Sequence, residues 1–147
     1  MSGFDIDTAR KAGQGFKEAM GMSDEEFEEH ISYSFNRRLM EHGEEMGRAR
    51  IIAEVTEAKY CLAGCQVGQK LVFNCLPAWV LPEESTCPLC AKAIGPVAEL
   101  VNHLWDRFSE GLDPNDGQPQ FASCLDHGIP YGGLGNVRFK VWVEKRP

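Results

Sequence analysis

The sequence predicts an α+β fold, with an N-terminal helical hairpin, a small antiparallel sheet, one long packing helix and a cysteine-rich metal site. Three observations lead to this prediction. Apolar residues recur at three- and four-residue steps in the first third, they alternate with period two over 51–56 and 137–144, and all six cysteines lie between residues 61 and 124. We therefore divide the chain into a hairpin, 1–47, and a cysteine-rich α+β domain, 48–147.

Composition restricts the classes of function. The chain has 147 residues, 43% of them hydrophobic, which suits an ordered core of ordinary domain size. A net charge of −7 argues against binding nucleic acid, because phosphate neutralisation needs clustered Lys and Arg. No apolar run approaches a membrane span, and the N-terminus lacks the basic start and apolar centre of a signal peptide, so we expect a cytoplasmic protein.

In a reducing compartment six cysteines indicate metal binding or thiol chemistry more than disulfides. Simple burial of the thiols is the remaining alternative, since free cysteine is among the most buried residue types.

The first third predicts two helices. Apolar residues over 5–20 form one amphipathic face, weakened by Gly13 and Gly15, and Gly21 lies where a helix commonly stops. A capping box between Ser23 and Glu26 then predicts a second helix beginning at Asp24 and ending at His42-Gly43 or at Gly47. The apolar stripe of that helix contains Phe27, Ile31, Phe35 and Leu39, with Met46 farther on.

An aromatic stripe of this kind either packs on the rest of the chain or meets another protein. We favour packing. If the chain has a protein partner or forms a homo-oligomer, we expect the hairpin to provide the contact surface.

The first cysteine pair follows a predicted strand over 51–56. Gly64 and Gly68 allow the backbone to turn sharply, so that Cys61 and Cys65 can point at one ion. A second strand over 70–74 is expected to pair with the first as a hairpin, ending at Cys75. The proline-bracketed segment 76–82 is at best an edge strand, and forms either a packed loop or an exposed patch around Trp79.

Cys87-Pro-Leu-Cys90 is the sharpest local motif. Two thiols separated by two residues fit half of a tetrahedral zinc site, although a redox-active pair uses the same spacing. A long helix follows, with Pro96 in its first turn and Gly111 closing it. Its apolar stripe consists of Val97, Leu100, Val101, Leu104, Trp105 and Phe108, and predicts packing across the sheet.

The last part of the chain predicts a turn at 113–117, a short strand over 121–124 and a closing strand over 137–144. Cys124 and His127 have C-x-x-H spacing and could supply further metal ligands, although His127 is equally a loop histidine.

Residues 50–146 resemble a family of small, uncharacterised cysteine-rich proteins of anaerobic bacteria and archaea. Those proteins have a strand, Cys-Pro-x-Gly-His-x-x-Gly-Asp, a Cys-Pro-x-Ala segment entering a helix, Cys-Pro-Asp and a closing strand. The matching residues here are Cys61, Gly64, Cys65 and Gly68, then Cys87, Pro88 and Ala91, then Cys124 and Asp126. Cysteine replaces the family's histidine at 65, Gln69 replaces its aspartate and Leu125 its proline.

A looser, fold-level similarity links the chain to vinyl-reductase-type sensor domains and small thiazoline-carboxylate hydrolases, which are α+β. It implies nothing about activity.

The ligand set stays open between two combinations. The resemblance implies Cys61, Cys65, Cys87 and Cys124, whereas spacing alone favours Cys61, Cys65, Cys87 and Cys90. Cys90 and His127 are either alternate ligands or groups that contact the ligands, and Cys75 is expected to be merely buried. We expect zinc, with an iron–sulfur cluster as the alternative cofactor.

Three functions remain possible at this point. The first is a zinc-stabilised small subunit or accessory protein of a larger enzyme complex. The second is a small enzyme that uses a metal or a thiolate, with Asp126 and His127 as acid and base. The third is an iron–sulfur or thiol redox protein.

Overall fold

Helices form the first third of the computed structural model, which describes residues 3–147, and a four-stranded antiparallel sheet with one long helix forms the rest. The fold is therefore α+β. The helices are α1 (Ile6–Ala12), α2 (Gln14–Met20), α3 (Asp24–Ser32), α4 (Ser34–Arg48) and α5 (Ala91–Ser109). The strands are β1 (Arg50–Lys59), β2 (Lys70–Asn74), β3 (Phe121–Ser123) and β4 (Asn136–Glu144), and a 3-10 turn covers Ile129–Tyr131.

The hairpin contains four helices where two were predicted. Gly13 interrupts the helix expected over 5–20 and divides it into α1 and α2, each seven residues long. Gly21 ends α2 in the left-handed conformation, as predicted. The capping box is also confirmed, because Glu26 N–H donates to Ser23 Oγ at 3.1 Å and Ser23 N–H donates to Glu26 Oε2 at 2.8 Å.

The second predicted helix is wrong in its continuity, whereas its end at Arg48 lies one residue beyond the later of the two predicted stops. Tyr33 is extended (φ −78°, ψ 125°), which separates α3 from α4 and turns the later stripe residues away from the earlier ones. Phe27 and Ile31 are buried, whereas Phe35 is 54% exposed. Helix α4 also runs through both predicted stops to Arg48, because Met46 is anchored in the main core.

Two groups of buried side chains lie in the described residues. The smaller one joins Ala9, Phe27 and Ile31 within the hairpin. The main core lies between the sheet and α5, and Met46 belongs to it although it is part of the hairpin. The division at residue 47 stays a prediction.

The sheet has the order β2-β1-β4-β3. The predicted hairpin of β1 with β2 is confirmed, with Ile51 opposite Phe73, and β4 pairs along the other side of β1. In β4 the predicted dry face is confirmed, since it consists of buried Val137, Phe139, Val141 and Val143. Segment 76–82 meets the edge of the sheet only through an isolated bridge between Phe73 and Val80.

Helix α5 packs on β1, β3 and β4 through the predicted apolar stripe. The expectation that Pro96 lies in the first turn is wrong, because the helix begins at Ala91 and Pro96 is in its interior. A proline there has no N–H for the carbonyl four residues earlier, so Lys92 O has no helical partner from residue 96. Within residues 3–147 no helix is both long and apolar enough to cross a membrane.

Candidate metal centre

All six cysteines are free thiols, and five of them gather at one end of the sheet. The sixth, Cys75, lies apart in the main core with no exposed surface, as predicted. Its burial raises the pKa of its thiol to about 12. Cys75 is therefore a core residue.

Cys61 and Cys65 lie in the turn between β1 and β2. Gly64 and Gly68 have φ of +80° and +91°, so the predicted sharp turns are confirmed at both glycines. Gly64 N–H donates to Cys61 O at 3.1 Å, and Gly68 N–H donates to Val55 O at 2.9 Å. These bonds fold the segment back on β1.

The second pair is held by β2 and α5. Thr86 and Cys87 N–H both donate to Lys70 O, at 2.8 and 3.0 Å, which ties Cys87 to the start of β2. Cys90 is the N-cap of α5, and its carbonyl accepts from Ala93 and Ile94 N–H. These two hydrogen bonds fix the backbone of Cys90 at the start of α5.

Cys124 follows β3 and is buried. Its Sγ accepts from Val137 N–H at 3.3 Å and from Asn136 Nδ2 at 3.7 Å, while its own N–H donates to Val137 O at 2.9 Å. Backbone and side-chain N–H groups of β4 thus hold this sulfur in place, and its own S–H donates to Asp126 O at 3.6 Å.

The proline in α5 connects that helix to the Cys124 segment. Leu125 N–H donates to Lys92 O at 2.9 Å, and Lys92 O is the carbonyl that Pro96 cannot use. Helix α5 thus lacks one internal hydrogen bond at Lys92 O. The hydrogen bond from Leu125 N–H takes its place and fixes the backbone next to Cys124.

A cavity of about 90 Å³ lies where these segments meet. Four of the six cysteines line it: Cys61, Cys65, Cys90 and Cys124. They come from three separate parts of the chain, so the fold rather than local sequence brings them together. Lys92, Asp126 and Asn136 also line the cavity.

Cys87 joins this group through Cys65. Their sulfur atoms lie 3.5 Å apart, far longer than a disulfide and close to the roughly 3.8 Å between two sulfurs bound tetrahedrally to zinc at about 2.3 Å. Burial raises the pKa of both thiols, and the neighbouring sulfurs of Cys61 and Cys90 raise that of Cys87 further.

Cys61 differs from these two buried thiols. Its burial alone acts to raise the pKa of the thiol, but the backbone N–H and thiol of Cys65 and the N–H groups of Ala63 and Gly64 outweigh it and lower the pKa. Of these three thiols Cys61 is the one whose surroundings favour the thiolate.

Asp126 is committed to holding its own loop. Its carboxylate accepts from the N–H groups of Gly128 at 2.9 Å, Leu134 at 3.1 Å and Gly135 at 3.3 Å. The Gly128 bond above all, with those of Leu134 and Gly135 and the charge of Lys92, lowers the pKa of the carboxyl group. Its lone pairs are therefore used by residues 128–135, which argues against a role as general base.

His127 is exposed and does not line the cavity. The structure thus brings together the five predicted cysteines and leaves the predicted histidine outside. With the side chains as they stand, no three His, Cys, Asp or Glu residues within 3–147 form a group that could hold a metal ion. Shared coordination would require thiols to turn toward the cavity.

Sequence reasoning missed the residues that surround the sulfurs. Asn136 donates to Cys124 Sγ and to the carbonyl of Asp126, and Lys92 lines the cavity. Neither has a motif. Asn136 is found only after the pairing of β3 with β4 is known, and Lys92 only after the first turn of α5 is placed.

No protein-family model, curated protein or solved structure matches this chain.

Proposed function

We propose that this chain is a metal-binding protein whose ion is zinc, held by cysteine thiolates at the end of the sheet. One observation carries the proposal: Cys61, Cys65, Cys90 and Cys124 line a single cavity although three separate segments supply them. Zinc prefers this kind of sulfur set, and in structural sites it takes four such ligands.

The immediate neighbours support the same assignment. Cys87 lies 3.5 Å from Cys65, which makes it a fifth available sulfur. Although burial acts against it, hydrogen bonds from Cys65, Ala63 and Gly64 lower the pKa of the Cys61 thiol, which favours the deprotonated form that zinc needs. The resemblance to cysteine-rich proteins of anaerobes implies that Cys87 is a ligand together with Cys61, Cys65 and Cys124. The cavity lining instead favours Cys90 beside the same three cysteines. Cys87 and Cys90 are therefore alternatives for the fourth ligand.

The chain is, in our proposal, an accessory protein of a larger enzyme complex, and the zinc stabilises its fold. Four thiolates leave zinc no open position for chemistry, and Asp126 is occupied by backbone donors. Residues 1–48 carry eleven carboxylates against six Lys and Arg residues, while Phe35 and Tyr33 are exposed on the hairpin. The hairpin would therefore dock on a subunit with a basic and apolar surface.

An iron–sulfur cluster is the second candidate. The hydrogen bonds of Val137 and Asn136 to Cys124 Sγ favour it, because N–H donors to sulfur set the reduction potential of such clusters. The five gathered cysteines offer enough ligands for either cofactor.

Elemental analysis and the absorbance spectrum of anaerobically purified protein test both candidates. We expect one zinc per chain and no colour, and we expect Cys61→Ser or Cys124→Ser to lose the zinc. Cys75→Ala is the matched control and should keep it, since Cys75 lies in the core away from the cavity. Iron with sulfide and visible absorbance would move the assignment to electron transfer, and protein free of any metal would end the proposal.

A further inference from the structure

Several large apolar side chains that face solvent either line the cysteine cavity or are next to its cysteines in the sequence. We call this set the apolar rim, and it consists of Tyr60, Leu62, Val67, Leu89, Leu125 and Leu134, with exposed fractions from 41% to 89%. Tyr60, Leu62 and Leu134 line the cavity itself. The other three each lie within two residues of a cysteine that lines it.

The rim is poor in charge in a chain that is 25% charged, although Lys59 Nζ lies 5.4 Å from the centre of the Tyr60 ring. No Asp, Glu, Lys or Arg occurs in segments 60–69, 86–91 or 127–137. The two charged residues that line the cavity, Lys92 and Asp126, have opposite signs. Charge depletion around exposed aromatic and aliphatic side chains is the composition of an interface centre.

The size of the surface suits an interface between proteins. Ile129 and Tyr131, 59% and 81% exposed, extend the rim along the loop that Asp126 holds. Burying one such side chain removes on the order of 100 Å² of apolar surface, so eight approach the roughly 800 Å² per partner of a standard interface.

We propose that the apolar rim is the surface through which two copies of this chain associate. The net charge of −7 opposes contact between two copies, and eleven of the carboxylates lie in residues 1–48. The rim is where two identical chains meet without bringing those carboxylates together. A two-fold contact places each rim against its twin, which is apolar against apolar, and sets the two cysteine cavities face to face.

Sedimentation velocity between about 5 and 100 μM tests this association. We expect a dimer for the natural chain, and we expect Leu62→Lys and Leu125→Lys each to raise the dimer dissociation constant more than tenfold. Phe35→Lys on the hairpin is the matched control, because Phe35 is also a large, exposed apolar residue. It should leave the dimer within about threefold, and circular dichroism should show all variants folded.

Salt gives a second, independent readout. Screening reduces the repulsion between two chains of charge −7, so raising NaCl from 50 to 500 mM should tighten the dimer or leave it unchanged. A dimer weakened by salt would mean pairing of opposite charges and would overturn the proposal.

Two other outcomes would also overturn it: a monomer throughout the concentration range, or a dimer that Phe35→Lys dissociates as strongly as Leu62→Lys. Metal content measured on the same samples keeps the two proposals separate. A dimer without zinc contradicts the metal assignment alone, and a zinc-loaded monomer contradicts the association alone.

Discussion

The amide of Leu125 donates to the carbonyl of Lys92 at 2.9 Å, across the boundary between the Cys124 segment and helix α5. Pro96 makes this possible, since it has no N–H to offer that carbonyl within the helix. A residue that ordinarily weakens a helix therefore positions the backbone beside a candidate ligand.

Replacing Pro96 should loosen the Cys124 segment. In Pro96→Ala the new N–H competes for Lys92 O, so we expect hydrogen exchange at the Leu125 amide to speed up about tenfold, the equivalent of one bond of about 1.4 kcal/mol. Gly47→Ala in α4 is the control, because a methyl group there has open space, α5 is untouched and residue 96 stays proline. Unchanged exchange in Pro96→Ala would show that the proline has no such role.

Removing the metal should destabilise the fold. A ligand at 100 times its dissociation constant adds about 2.7 kcal/mol to the free energy of unfolding, so a chelator should lower Tm by about 5–10 °C. Thermal denaturation followed by circular dichroism measures the shift. Cys65→Ser, which lacks a sulfur in the cavity, should show a low Tm with or without chelator; a chelator effect of full size in this variant would contradict the assignment.

The fourth ligand can be identified by comparing three variants. We expect Cys124→Ser to weaken zinc binding by more than about 100-fold in a competition titration, since even changes outside the ligands cost about 10–100-fold. Whichever of Cys87→Ser and Cys90→Ser has the larger loss identifies the fourth ligand.

His127→Ala is the control for this series, because its side chain is exposed and outside the cavity lining. It should bind zinc as the natural chain does. A loss comparable to that of Cys124→Ser would make His127 a ligand and would require the 126–135 loop to rearrange.

The Asp126 carboxylate should stabilise the loop over residues 128–135. Asp126→Ala removes the acceptor of three backbone N–H groups, so we expect the amides of Gly128, Leu134 and Gly135 to lose protection from exchange. Asp126→Asn keeps an acceptor oxygen and should retain part of the protection. Equal protection in both variants and the natural chain would mean that the loop is held by other contacts.

Gly135 lies so close to the backbone of β1 that a side chain at this position should destabilise the fold. A Cβ there would lie 2.0 Å from Lys59 O, which is backbone and cannot move aside cheaply. We expect Gly135→Ala to cost about 1–3 kcal/mol in urea denaturation. A methyl group at Gly47 in α4 has open space, so Gly47→Ala should raise the free energy of unfolding by up to about 1 kcal/mol. If Gly47→Ala were the less stable of the two variants, the close contact of Gly135 with Lys59 O would be contradicted.

Local patterns predicted the elements that have strong local causes. The capping box at Ser23 and the alternation of Val137, Phe139 and Val141 predicted α3 and β4, because hydrogen bonds and periodicity within a few residues determine them. The break at Tyr33 has no such signal. Apolar spacing continues through it, and the packing of Phe27 in the smaller core and Met46 in the main one decides it.

The site was predictable as a set of cysteines and not as a geometry. Spacing suggested Cys61 with Cys65 and Cys87 with Cys90, each within five residues. Which sulfurs share the cavity depends on the register of β3 against β4 and on where α5 begins. These are long-range features, and no motif within the chain encodes them.

Because Cys75 is completely buried, alkylation of its thiol can be used to detect unfolding of the core. A thiol with no exposed surface and a pKa of about 12 cannot meet an alkylating reagent until the main core opens. The other five thiols each keep some exposed surface at the end of the sheet, so once a chelator has removed the zinc we expect them to react before Cys75. The rate at which the last thiol is alkylated therefore measures how often the whole molecule unfolds under native conditions.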